Sequence, residues 1–249
     1  MGFVKFFRVK HWFYFLGFTI LGIVFSGGKL LSVKSLITLT ASTLLLAFGF
    51  AVNGAYDHRK GIKKSFIPAF LSLPLLFLMN PSELIVFGTT FILLFLYSHP
   101  RSNFQAVPIL GTLLNPIVFC NLFLLGWLPS SALTNQGIFL YSLLFVLELA
   151  SQLIHEGMDY EEDKKIKKRT STVRFGKRIV KPLTFLCLLA GVFFSIPLGP
   201  YFYVLVAGIT VYYSSLMRRL NDFKRLRKVF KNLGVMAGII WLVSKTLFF

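Results

Sequence analysis

Apolar runs near the length that crosses a hydrocarbon core, about 20 residues, recur from one end of this chain to the other. Charged or Gly/Pro-rich breaks separate them into segments at 11–26, 35–53, 66–79, 83–99, 106–128, 137–155, 179–196, 200–217 and 230–248. No polar stretch longer than a loop lies between them. Hydrophobic residues make up 55% of the 249 positions and charged residues 14%, so a soluble domain would lack the polar surface to cover its core. A bilayer is the solvent that suits such a chain. The expected fold is an all-α integral membrane protein, one domain over 1–249, built as a bundle of about nine transmembrane helices around a central cavity. The run at 66–79 is short and holds Pro68 and Pro74, which predicts a tilted, kinked or partly spanning segment. The first run follows Lys5, Arg8 and Lys10 as in a signal peptide, but without a small-residue cleavage site, and further spans follow. It reads as a retained first helix. Cys120 and Cys187 fall inside spans, where they read as packing residues.

The net charge of +18 would raise nucleic-acid binding in a soluble protein. Here topology explains it. With nine spans, 24 of the 27 Lys and Arg residues fall on the N-terminal face, at 5–10, 59–64, Arg101, 164–181 and 218–231, leaving only Lys29, Lys34 and Lys245 opposite. Positive residues near span ends are retained on the cytoplasmic side, so the N-terminus is expected inside and the C-terminus outside, in a cytoplasmic membrane. Nucleic acid is excluded as a partner because the basic residues are divided among five loops. The run from Arg218 to Lys231 is expected to contact anionic headgroups of the bilayer. Seven of the nine acids, Asp57, Glu156, Asp159, Glu161, Glu162, Asp163 and Asp222, share this basic face.

Those acids form two clusters. Asn53 and Asp57 are four residues apart at the end of the second span, so they share a helical face. The sixth span continues through Glu148, Gln152, Glu156, Asp159 and Asp163, with spacings of four, four, three and four that keep all five on one stripe if the helix persists. Ionisable groups at membrane depth face the bundle interior or a wet cavity and are functional candidates. Crowded carboxylates repel unless a cation sits between them. Hard oxygen donors suit Mg²⁺ or Ca²⁺, and Mg²⁺ characteristically joins one or two carboxylates to substrate phosphates, for which the surrounding Arg and Lys add charge-assisted hydrogen bonds. The charge pattern alone equally allows Asp159 to Asp163 to balance Lys164, Lys165, Lys167 and Lys168 on a solvated helix end.

Asn53-x-x-x-Asp57 after the second span, and Asp159-x-x-x-Asp163 followed by Thr170-Ser171-Thr172-Val173-Arg174-Phe175-Gly176 after the sixth, resemble the two motifs of the UbiA superfamily of intramembrane prenyltransferases. The resemblance covers almost the full chain. Tyr97-Ser98-His99-Pro100-Arg101 resembles the family's Tyr-Ser element after the fourth span, and Arg8-Val9-Lys10-His11-Trp12 its basic-aromatic opening, although an interfacial anchor explains the latter as well. One position departs from the family pattern: the second Asp expected four residues after Asp57 is Gly61.

The resemblance implies Mg²⁺-dependent transfer of an isoprenoid chain from an allylic prenyl diphosphate to a hydrophobic or aromatic acceptor within the membrane. It implies Asp57, Asp159 and Asp163 as catalytic residues, Asn53, Asp57, Glu156, Asp159 and Asp163 as the metal set, and Lys64, Tyr97, Arg101 and Lys164 as the diphosphate-binding set. The 29 Phe, 9 Tyr and 3 Trp could wall a tunnel for the prenyl tail and offer π-faces to an allylic cation. His58 and His155 stand beside the motifs and read as hydrogen-bonded neighbours rather than catalytic bases. Two other readings stay open from sequence: a UbiA-like protein with altered catalysis, motivated by Gly61, and a transporter using Glu148, Glu156 and Asp159 as a cation path.

Overall fold

The computed structural model describes residues 6–58 and 61–248, and for Asp57, His58 and 244–248 the backbone alone. The α-helices among these residues are α1 Val9–Trp12, α2 Leu16–Phe25, α3 Val33–His58, α4 Ile62–Ser65, α5 Ile67–Leu76, α6 Pro81–Ser98, α7 Leu110–Trp127, α8 Asn135–Lys165, α9 Ser171–Phe175, α10 Val180–Ser195, α11 Pro200–Arg219 and α12 Phe223–Phe248. Short 3₁₀ turns link several of them, and no strand occurs among the described residues.

Six segments are long and apolar enough to cross a membrane: Val33–Tyr56, Pro81–Ser98, Leu110–Trp127, Asn135–Lys165, Lys177–Leu198 and Pro200–Arg219. They match six of the expected spans. The other three fall on the shorter apolar stretch Val9–Phe25, on the ten-residue α5 with Pro74 inside it, and on α12. The protein is an all-helical integral membrane protein, and side chains such as Phe77, 90% exposed, are apolar surface of the kind that lipid rather than water covers. α12 begins at Phe223, seven residues before the apolar run that marked it. Its first turns bury Phe223 and Leu226 while Lys224, Arg225 and Lys228 stay exposed, an amphipathic pattern that a search for continuous apolar runs passes over.

Helix starts are written locally. Asn80 caps α6: its side chain accepts from the Glu83 backbone N–H at 2.9 Å while the Glu83 carboxylate accepts from Asn80 N–H at 2.9 Å, a reciprocal capping box followed by Pro81 in the first turn. Thr134 caps α8 and Thr170 caps α9 by accepting from Gly137 and Val173 N–H.

The chain divides into two compact units, residues 1–104 with 118–133, and 105–117 with 134–249. α7 contributes its first turns to the second unit and the remainder to the first. In the first unit α3 packs on α2, α5 and α6, around Leu45, Leu46, Val118, Leu122 and Leu125. α2 and α7 touch backbone to backbone: a side chain at Gly22 would meet the Phe123 carbonyl, and one at Gly126 the Thr19 carbonyl. Small residues at such crossings let membrane helices approach closely. In the second unit α8 packs on α10 and α12, and α10 on α11, around Leu153, Ile154, Val180, Leu188, Tyr213 and Leu226.

Candidate active site

In the first unit the Asn53 motif occupies the last turns of α3. Asn53 Oδ1 is buried and has no hydrogen-bond partner among the described residues. A buried carbonyl oxygen left in that state costs free energy until a donor or cation reaches it. The Asp57 side chain lies outside the described residues. Tyr56, just before it, meets the His99 ring edge-on, with centroids 5.6 Å apart. His99 in turn shapes the turn after α6: its Nδ1 accepts from Arg101 N–H at 3.3 Å, and Ser102 Oγ donates to the Leu96 carbonyl at 2.7 Å. Aromatic packing on Tyr56 thus ties the segment carrying Arg101 to the end of α3. Arg101 itself is exposed and Tyr97 half-buried. Lys64 is exposed on α4.

Arg8 was read from sequence as an anchor. It is left-handed (φ 52°) at the start of α1, and its side chain lies so close over Gly54 that a Cβ there would come within 3.3 Å of Arg8 Cδ. The absence of a side chain at Gly54 therefore leaves room for the Arg8 side chain against the end of α3.

Gly61, where the family pattern has an acid, is left-handed (φ 73°) and starts α4. A Cβ there would fall 2.7 Å from the Phe6 ring. Conformation and space both select glycine at this position, which is a physical reason for the missing carboxylate.

In the second unit the stripe predicted on the sixth span is realised, because α8 runs unbroken to Lys165. Its 31 residues extend about 46 Å at 1.5 Å per residue, well beyond a hydrocarbon core of about 30 Å, so its acidic last turns project past the membrane interior. The stripe has two destinations. Gln152 and Glu156 turn toward α7 and the start of α9: Asn115 Nδ2 donates to Gln152 Oε1 at 3.1 Å, and Thr112 Oγ1 donates to Glu156 Oε1 at 2.6 Å. Glu156 Oε2 accepts from both the backbone N–H and the hydroxyl of Thr172, at 3.2 and 3.0 Å. Ser171 Oγ lies 2.6 Å from Thr112 Oγ1 and accepts from Ile109 N–H at 2.6 Å. Both oxygens of the buried Glu156 carboxylate accept hydrogen bonds within the protein, so it fastens the Thr170-Ser171-Thr172 segment to α8. These bonds give it an anchoring role beside the metal role expected from sequence.

Asp159 and Asp163 are one turn apart beyond Glu156. Asp159 Oδ2 is 3.1 Å from His155 Nδ1, and Arg227 of α12 also reaches that nitrogen. Asp163 is buried, 3.8 Å from Lys168 Nζ, and hydrogen-bonded by the Thr170 hydroxyl. Burial raises the pKa of both carboxyls; Arg227 opposes this at Asp159 and Lys168 at Asp163. The chain end of α8 accounts for the choice of lysine. Lys167 is left-handed (φ 55°), with Lys167 N–H donating to the Lys164 carbonyl and Lys168 N–H to the Asp163 carbonyl at 2.9 Å. This Schellman closure turns the chain back and brings Lys168 beside Asp163. Lys164, a candidate for the diphosphate, sits over the Tyr160 ring, 5.8 Å from its centroid.

The described residues include no group of three His, Cys, Asp or Glu side chains arranged to hold an ion. Their donor chemistry nevertheless suits Mg²⁺, which takes one or two hard carboxylates and completes its shell with water and phosphate oxygens: in the second unit Asp159 and Asp163 supply such oxygens, and separately, in the first, Asn53 Oδ1 is an unsatisfied one.

The UbiA prenyltransferase family profile matches residues 62–239. The chain belongs to the UbiA prenyltransferase family. Its fold is similar to that of a UbiA homolog from Archaeoglobus fulgidus, with a TM-score of 0.77 at 18% identity over 99% of this chain and 98% of that one. The same archaeal protein bound to DMAPP and Mg²⁺ aligns with a TM-score of 0.75 at 17% identity, over 98% of this chain and 99% of that one. A structure of digeranylgeranylglyceryl phosphate synthase aligns with a TM-score of 0.76 at 18% identity, covering 97% of both chains. At these identities the likeness is one of fold. A comparison with curated sequences gives no match.

Proposed function

We propose that this UbiA family member transfers an isoprenoid chain from an allylic prenyl diphosphate to an aromatic or lipid acceptor within the bilayer, as one prenyltransferase domain over 1–249. The observation that carries this reading is the end of α8. It is supported by two partly desolvated carboxylates, Asp159 and Asp163, one turn apart with basic residues near them, in a family whose members include a protein seen with DMAPP and Mg²⁺.

Asn53, Asp57, Asp159 and Asp163, the residues of the two family motifs, are the donors we assign to metal. Glu156 is assigned to positioning. Bound Mg²⁺ would neutralise negative charge building on the departing diphosphate. Arg8, Lys64, Tyr97, Arg101, Lys164 and Lys168 are the donors we assign to phosphate oxygens. Each presents only hydrogens to an anion, and the lysines and arginines add charge. As the allylic C–O bond breaks, its electron pair leaves with diphosphate. A ring carbon or hydroxyl oxygen of the acceptor then bonds to the allylic carbon and gives up its proton. Apolar and aromatic walls keep water from capturing the cation. We place the basic, motif-bearing face in the cytoplasm, by the distribution of Lys and Arg.

The test is to incubate purified protein with Mg²⁺, allylic diphosphates of graded length and a panel of acceptors, following diphosphate release and prenylated product. No Mg²⁺-dependent product from any pair, together with no diphosphate binding, overturns the proposal.

A further inference from the structure

On the face of the second unit where α10 and α11 lie side by side, a groove of ≈ 540 Å³ runs between Phe185 and Leu189 on one side and Val211 and Ser214 on the other, and ends at Arg218 and Arg219. The α11 residues 210, 211, 214, 215, 218 and 219 recur at helical spacing, so the groove follows one face of the helix for about 14 Å at 1.5 Å per residue. Its walls are apolar and open to the side: Val211 is 72% exposed. Ser214 Oγ is buried within it and has no hydrogen-bond partner among the described residues. Both arginines are exposed at the last turn of α11, and neither makes an ion pair among the described residues. The acid next in sequence, Asp222, is used otherwise: it accepts from the backbone N–H groups of Lys224 and Arg225 at the start of α12.

We propose that this groove binds one anionic phospholipid of the surrounding bilayer, with an acyl chain along Phe185, Leu189 and Val211 and the phosphate on Arg218 and Arg219. α11 has 20 residues, about the length of the hydrocarbon core, so its terminal arginines reach the level of lipid headgroups. A second span end on the same side, before α10, adds Lys177, Arg178 and Lys181, the last donating to Asn221 Oδ1 at 2.9 Å. Basic pockets between helices at that depth recognise headgroups of anionic lipids. A guanidinium pair matches phosphate oxygens through paired N–H donors, and the exposed Ser215 and the orphaned Ser214 add hydroxyls along the groove. A zwitterionic lipid fills the same apolar walls but brings its own cation to the two arginines, so the site discriminates by charge. The site uses none of the residues assigned to catalysis.

The test is native mass spectrometry of the full chain, released from mixed micelles of phosphatidylglycerol and phosphatidylcholine. Wild type is expected to retain one phosphatidylglycerol preferentially. Each basic residue near a membrane surface is worth about fivefold, so R218Q/R219Q should reduce that preference by about thirtyfold, whereas K224Q/R225Q, equally basic but outside the groove, should leave it unchanged. V211W, which fills the groove without touching charge, should remove retention of the lipid and keeps the proposal testable if the arginine variant does not fold. Equal retention of the two lipids by wild type, unchanged preference in R218Q/R219Q, equal loss in K224Q/R225Q, or displacement of the bound lipid by a soluble allylic diphosphate would each overturn it.

Discussion

Thr112 donates its hydroxyl to Glu156 across 2.6 Å and 44 positions of sequence. Glu156 also accepts twice from Thr172, so one buried carboxylate anchors the segment that follows the acidic end of α8. Replacing Glu156 by Ala strands several donors at once, at about 1–3 kcal/mol for each one left buried. Thermal unfolding in detergent should show a clear loss of stability. In the activity assay the Mg²⁺ requirement should rise more than the acceptor KM. A variant with wild-type unfolding temperature and Mg²⁺ dependence would remove Glu156 from this role.

Asp159→Asn and Asp163→Asn should each lower turnover by about a hundredfold or more, the scale of losing a group that stabilises transition-state charge. Stability should hold or improve, because burial already disfavours the ionised carboxyls and the amide avoids that cost. A variant that folds and turns over at the wild-type rate would exclude its residue from the site.

The same two groups set a pH dependence. A carboxyl whose folded pKa is raised holds its proton more tightly than in the unfolded chain. Its stabilising contribution is present below the ordinary carboxylate pKa and is lost as pH rises through the raised value. Metal binding requires the ionised form, so the stabilisation that Mg²⁺ and diphosphate confer together should grow over that window. Unfolding temperature measured with and without them from acid to neutral pH is the check; a difference independent of pH would contradict it.

Gly126→Ala should destabilise the first unit by about 1–3 kcal/mol, as overpacking does, because the new methyl group meets the Thr19 carbonyl. Gly17→Ala is the control, since nothing lies within 4 Å of its Cβ position. Equal unfolding temperatures for the two variants would show that α2 can move away from α7 at no cost.

Lys167→Gly should raise stability by about 1 kcal/mol, because a left-handed residue with a side chain is strained by about 1–2 kcal/mol and glycine recovers most of this. Chemical denaturation is the measurement, and a loss of stability would mean that the lysine side chain contributes more than its backbone costs.

Spans of about 20 apolar residues were legible because each carries its own signal. So was the unbroken stripe on α8, since helical spacing continues as long as the helix does. Legibility ended where the chain reversed. Lys164 and Lys168 are equivalent by composition, and only the turn at Ile166 and Lys167 decides that Lys168 meets Asp163. Glu156 looked like one more acid in a cluster; its donors come from Thr112 and Thr172, whose approach is a property of packing. Arg227 reaches His155 across 72 positions, and Arg8 lies over Gly54 because of a left-handed residue at the start of α1. The start of α12 was hidden for another reason: its buried face is interrupted by lysine and arginine at every turn.

Gly61 and Phe6 also constrain how the first motif can change over time. An acid at position 61 that arrives while Phe6 is present meets the ring before it can contribute a charge, whereas a smaller side chain at position 6 opens the space in advance. The order of the two steps therefore matters, and a lineage gaining or shedding that carboxylate passes through position 6. Among relatives of this chain the two positions are expected to change as a pair, linking the count of acids in the motif to a residue that touches no phosphate.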